Sequence, residues 1–167
     1  KSFLSESAAN SNLSGFEFLY CIPGTVAGGV IMNSGCYGSD MSKIVSSVSI
    51  IDINGDIKIL QNKDINFAYR SSSISKNDII TNIEMRGSIL RKEEILNKMK
   101  ELKAKKDSDQ PQKIKTGGST FKNPINTDKK AWQLIKESEC SNLIVGDVKL
   151  SNLHCNFLEN LGKATSD

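Results

Sequence analysis

Apolar and polar positions alternate along this chain in two different rhythms. Over VSSVSIIDINGDIKIL, residues 45–60, the period is two. This predicts a β-hairpin with Asn54-Gly55 as a two-residue turn, and Ile57 and Ile59 alternating with polar neighbours behind it. In IITNIEMRG, residues 79–87, Ile79, Thr81, Ile83 and Met85 share one face while Asn82 and Glu84 take the other, which predicts a further strand. Past Gly87 the period lengthens. Ile95, Met99 and Leu102 fall at i, i+4 and i+7, so residues 91–106 are predicted to be helical, with Glu94–Lys98 and Glu101–Lys105 as favourable pairs one turn apart. DSDQPQ ends that helix and reads as a linker. A second helix is expected to carry Ala131, Leu134 and Ile135 with Asp128 as its cap, and the tail from Ser141 reads as short strands and turns.

Ahead of the hairpin the pattern is weaker. Residues 1–13 are polar and rich in Ser and Asn, with no clear period. Ser14 to Gly38 is glycine-rich and apolar, with Thr25 as the expected N-cap of a helix over VAGGVIMN. The expected fold class is α+β. The change from strand-rich to helix-rich sequence sets a domain boundary at 88/89, giving domains of residues 1–88 and 89–167.

Composition narrows the functional classes. The 167 residues carry a net charge of only +3, too weak to argue for nucleic acid. The most basic stretch, Lys98 to Lys106, contains Glu101 and reads as a solvated helix face. Cys21, Cys36, Cys140 and Cys155 form no C-x-x-C, and there is one histidine, so no metal site is expected. The cysteines read as reduced thiols of a cytoplasmic protein. No apolar run approaches the roughly 20 residues that cross a membrane, and no leader is visible.

Three polar clusters carry candidate chemistry, and each reads two ways. IPGTVAGG, residues 22–29, is either a glycine-packed helix start or a place where free helix N–H groups meet a phosphate. In FAYRSS, residues 67–72, Arg70 is either a surface cation beside aromatics or a fixed charge for a developing oxyanion or carboxylate. In GGSTFKNP, residues 117–124, Ser119 is either a turn residue or a proton donor, with Lys122 and Asn123 at hand to support it or to hold substrate. It is not a G-x-S-x-G elbow, and no Ser-His-Asp set accompanies it. His154, in SNLHCNF, reads as a core or capping histidine more readily than a catalytic one.

Taken in order, GFEFLYCIPGTVAGGVIMNSGCYG, FAYRSS, GGSTFKNP and KLSNLHCNFLENLGKATSD resemble the UDP-N-acetylenolpyruvoylglucosamine reductase (MurB) family from about Leu13 to the last residue. The resemblance implies a monomeric bacterial cytoplasmic flavoenzyme of peptidoglycan precursor synthesis. It implies a vanillyl-alcohol-oxidase/PCMH-type FAD-binding domain, of which residues 1–88 form the second half, followed by an α+β substrate domain over 89–167. NADPH reduces FAD, and UDP-N-acetylglucosamine enolpyruvate is then reduced to UDP-N-acetylmuramate. Residue by residue, it implies Ser119 as proton donor, Arg70 as the charge stabiliser, and Lys122 and Asn123 on the substrate. Ile22, Pro23, Gly24, Thr25, Val26, Gly28, Gly29, Asn33 and Gly35 would face FAD. The family's first flavin subdomain and a glutamate near its C-terminus are expected to lie outside these residues. Cys21 and Cys36 stand where the family usually has small residues. The short spacing from Arg70 to Ser119 suits the branch that lacks an extra loop over the substrate. The competing expectation is an inactive remnant with at most weak nucleotide binding.

Overall fold

The structure, a computed structural model, describes residues 1–165. The chain divides into two compact units, Lys1–Ala104 and Lys105–Asp167. The division falls inside a helix rather than at 88/89, for a packing reason: Ile95 and Met99 of that helix are buried with Ala9 and packed by Tyr20, Leu90 and Leu96. The first half of the helix therefore belongs with the strands before it.

The first unit begins with α1 (Ser2–Asn10), which sequence pattern missed. Its fully buried residues are Ser5, Ala8 and Ala9, with Leu4 partly buried against the core and Phe3 exposed, so no row of large apolar side chains reveals a period, and it packs on a 3-10 turn at Glu17–Cys21. Short β1 (Leu13–Ser14) follows, then α2 (Val26–Ile31), a small hairpin of β2 (Gly35–Cys36) and β3 (Ser39–Asp40), and the main strands β4 (Val45–Ile51), β5 (Ile57–Gln61) and β6 (Ile79–Met85). β7 (Ser88–Ile89) pairs back onto β1, and α3 (Lys92–Asp109) closes the series. β4 lies between β5 and β6 in an antiparallel sheet. The core joins Val45, Val48 and Ile50 of β4 to Phe16, Phe18, Leu19, Val30, Met41, Ile65 and Ile74.

Two features of this sheet differ from the sequence pattern. The predicted hairpin forms, with Ile51 opposite Ile57, but its tip is a three-residue loop. Asp52 donates to the Asp56 carbonyl, Gly55 donates to the Asp52 carbonyl, and only Gly55, at φ 88°, takes the left-handed conformation. A two-residue type I′ turn would need positive φ at Asn54 as well. The alternation also reverses: Ile57 and Ile59 are 75% and 65% exposed, and Leu60 packs against the core. In β6 the register jumps so that Ser49 faces Asn82 and Ile50 faces Ile80, leaving Thr81 as the extra residue of a bulge. The bulge brings Ile80 and Ile83 onto the core and leaves Ile79 exposed. The Thr81 hydroxyl donates to the Ser49 carbonyl.

In the second unit, α4 (Ala131–Glu137) precedes a three-stranded antiparallel sheet of β8 (Ile144–Val145), β9 (Val148–Leu150) and β10 (Leu158–Asn160), with β9 central. Its buried apolar residues are Ala131, Leu150 and Phe157. α4 starts later than Asp128 would have it. Lys130 is its N-cap, with the Lys130 N–H donating to Gln133 Oε1 at 2.7 Å and the Ala131 N–H to Asn123 Oδ1 at 3.0 Å.

Candidate functional site

The glycine-rich loop is built as its residue types dictate. Gly24 sits at φ 91°, a conformation that favours glycine. Thr25 then caps α2, its Oγ1 accepting from the Gly28 N–H at 3.1 Å. The Lys1 ammonium donates to the Pro23 carbonyl at 2.7 Å. Burial there holds the Lys1 amine below its ordinary pKa. A Cβ on Gly29 would come within 2.6 Å of Lys1 Cε, so the lysine side chain lies close over the start of α2. The loop thus offers the uncapped amides of a helix start beside one cation, a surface suited to a phosphate.

Arg70 is placed by the segment that follows. It occupies the left-handed region at φ 56° in a tight turn where Ala68 and Ser71 exchange backbone hydrogen bonds. Three side-chain bonds dock this turn onto the end of α2 and the β2 hairpin. Asn33 Nδ2 donates to the Ala68 carbonyl at 3.1 Å, the Ser72 hydroxyl donates to the Ile31 carbonyl at 2.9 Å, and Arg70 Nη2 donates to the Gly35 carbonyl at 2.9 Å. The guanidinium also lies 5.1 Å from the centre of the Tyr69 ring, the contact of a cation beside an aromatic. Asn33 is buried and uses its other end as well, Oδ1 accepting from the Ser42 N–H at 3.0 Å. Gly35 admits no side chain, since a Cβ would meet the Ser39 carbonyl at 2.4 Å and Asp40 Cβ at 2.5 Å. Asn33 and Gly35 therefore hold the arginine turn. Ile22, Pro23 and Val26 lie on the same loop, Ile22 and Val26 packed against the core and Pro23 exposed.

Ser119 lies in the second unit, exposed, on a segment outside helix or extended sheet. Gly117 and Gly118 precede it, Gly118 at φ 89°, and a Cβ at either would meet nothing within 4 Å. Ser119 pairs with Phe157, and Thr120 donates to the Asn156 carbonyl at 2.8 Å. Lys122 is exposed on the same segment, and Asn123 spends its Oδ1 on the start of α4. His154 is a turn residue: Nδ1 accepts from the Asn156 N–H at 3.3 Å, its carbonyl accepts from Phe157, and its ring meets Phe157 edge-on at 4.8 Å. With Nδ1 accepting, the neutral ring carries its proton on Nε2. A cavity of about 610 Å³ in this unit is lined by Trp132, Lys136, Ser151, His154 and Cys155 among others, a feature no linear motif announced.

The candidates thus gather in two groups, one per unit: the loop with Arg70, and Ser119 with Lys122 and Asn123. Cys21, Cys36, Cys140 and Cys155 form no disulfide, Cys21 being buried and Cys140 exposed. Among the described residues no three His, Cys, Asp or Glu side chains assemble as metal ligands, and no helix is long and apolar enough to cross a membrane.

Comparison with known proteins bears on this arrangement. The family described as UDP-N-acetylenolpyruvoylglucosamine reductase, C-terminal domain, matches residues 110–167. A protein of Pelagibacter ubique named UDP-N-acetylenolpyruvoylglucosamine reductase is 45% identical over 97% of this chain and 54% of its own length. One of Gluconobacter oxydans with the same name is 39% identical over 98% of this chain and 53% of its own. A crystal structure of the MurB reductase of Thermus caldophilus superposes with a TM-score of 0.86 at 35% identity, covering 97% of this chain and 59% of that one. Each of these proteins is a reductase, and the α+β fold described above is shared with the solved one nearly throughout. The chain belongs to the UDP-N-acetylenolpyruvoylglucosamine reductase (MurB) family. It spans about half the length of the curated relatives it matches.

Proposed function

We propose that this chain supplies the catalytic arginine and the proton donor of a reductase that converts UDP-N-acetylglucosamine enolpyruvate to UDP-N-acetylmuramate, for peptidoglycan precursors, in the bacterial cytoplasm. The observation that carries the reading is the match to reductases of that name over 97–98% of the chain. On this reading the protein acts as a monomer. The first unit is the second half of a PCMH-type flavin domain and the second unit is the substrate domain.

The loop from Ile22 to Gly29 would hold FAD by its phosphates, and the capped helix start beside Lys1 fits that role. When bound and reduced by NADPH, FAD supplies a hydride to C3 of the enolpyruvyl group. The chain's own residues then govern charge and proton. Negative charge builds toward the substrate carboxylate, and Arg70 would meet it with a planar cation already tethered to Gly35. Ser119 would hand its hydroxyl proton to C2. Lys122 supports the charge left on the serine oxygen or a substrate oxygen. Asn123 would lie on the substrate side of the same segment.

The test is a complete reductase carrying these residues, given FAD, NADPH and the enolpyruvyl nucleotide sugar. The expected result is oxidation of NADPH and a product heavier by one hydride and one proton. Binding of FAD with no turnover would instead favour the inactive remnant. For the 167-residue chain alone, flavin absorbance after FAD is added should reveal only weak binding.

A further inference from the structure

We infer that Asn156 is the positioning residue of Ser119, an inference that rests on the reading of Ser119 as proton donor. The serine sits after two glycines on a segment with no ladder of its own, so its direction must be set from elsewhere. Asn156 sets it. This residue is 5% exposed, and its side chain pairs with both backbone groups of one residue: Oδ1 accepts from the Phe121 N–H at 2.9 Å, and Nδ2 donates to the Phe121 carbonyl at 2.9 Å. Its own backbone carbonyl accepts from Thr120 at 2.8 Å. Phe157, the next residue, is buried and pairs with Ser119. Residues 119–121 are thus held against 156–157 by a side chain that imitates a neighbouring strand.

Only a carboxamide of this length offers one donor and one acceptor side by side. Aspartate would keep the acceptor but turn an oxygen toward the Phe121 carbonyl. An apolar isostere would leave two part-buried backbone groups without these partners. The bonds are strengthened by the low dielectric around a buried amide. A displacement of the proton donor by about 1 Å is enough to cost on the order of 10²-fold in rate. No residue in contact with the substrate need change for that loss.

Two readouts test this. In the 167-residue chain, Asn156→Asp should speed hydrogen exchange at the Phe121 and Thr120 amides while leaving the Ile95 amide of the first unit unchanged. In a complete reductase carrying these residues, the same change should slow flavin reoxidation by the enolpyruvyl substrate by about 10–10²-fold. Reduction by NADPH should stay as it is, and the change should add nothing in a Ser119→Ala background. A loss of equal size in both backgrounds, or no loss in either, overturns the inference about Asn156. Full activity of Ser119→Ala overturns the proton-donor reading beneath it, and the exchange data then report the clamp separately. If Asn156→Asp does not fold, Asn156→Ser removes the clamp without adding charge and is read by the same criteria.

Discussion

Arg70 carries two separable properties, a left-handed backbone and a guanidinium. An L-residue at φ 56° gives up on the order of 1 kcal/mol that glycine would not. Arg70→Gly and Arg70→Ala both remove the charge and the bond to Gly35, so flavin reoxidation by substrate should suffer equally in a complete enzyme. Chemical denaturation should nonetheless find the glycine variant more stable by about 1 kcal/mol. Equal stabilities would mean that the turn relaxes when the side chain is removed. At Ser119 the expectation concerns chemistry alone. Ser119→Ala should leave NADPH reduction of flavin nearly intact and slow reoxidation by about 10²–10⁴-fold. Stopped-flow measurement of the two half-reactions separates them, and wild-type reoxidation in the alanine variant would exclude the serine as proton donor.

The β4–β5 hairpin supplies a test of its own. Gly55, at φ 88°, has nothing within 4 Å of where a Cβ would stand, so Gly55→Ala meets only the backbone penalty. The cost should be about 1 kcal/mol, lowering the melting temperature of a unit this size by about 4–8 °C, with Gly55→Asn costing less. The loop is also pH-sensitive. The hydrogen bond from Lys58, helped by the Asp56 and Asn54 N–H groups, holds the Asp52 carboxyl below its ordinary value of 3.8. Because the folded value is the lower one, this stabilisation is present above pH 3.8 and fades as pH falls further. Acid titration should show the loop's amides losing protection in that lower window, and Asp52→Asn should remove the effect. The hairpin itself was legible because Asn-Gly and a period of two are local signals. The Thr81 bulge was not, because it answers to the register against β4 and nothing in IITNIEM marks the extra residue. Likewise Thr25 was readable as a cap three residues from its donor, whereas Asn123 caps α4 from eight residues away and Asn156 clamps a segment 35 residues back. The motifs around Arg70 and Ser119 could be read from sequence, but the long-range bonds that aim them could not.

At the scale of the whole molecule, the strand-to-helix change near Gly87 is not a joint. A Cβ on Gly87 would meet the Ser14 carbonyl at 2.5 Å, Ser88 pairs with Ser14, and Leu90 donates to Asn12. Limited trypsin digestion should therefore cut first after Lys113, which is exposed at φ 57° beyond the end of α3. First cuts after Arg86 would contradict this. The hairpin tip has one more consequence, and it concerns age. Asn-Gly pairs lose ammonia when the glycine nitrogen attacks the asparagine side chain and closes a five-membered ring. Here the Gly55 nitrogen is engaged with the Asp52 carbonyl at 3.0 Å, and Asn54 is itself tied to Asp52 Oδ1 at 2.9 Å. The attack must wait for the loop to open. Stored protein should drift from a net charge of +3 to +2 (3 − 1) at a rate set by that opening. Asp52→Ala should make the drift faster, so isoelectric focusing of aged samples becomes a clock for motion at one end of the sheet.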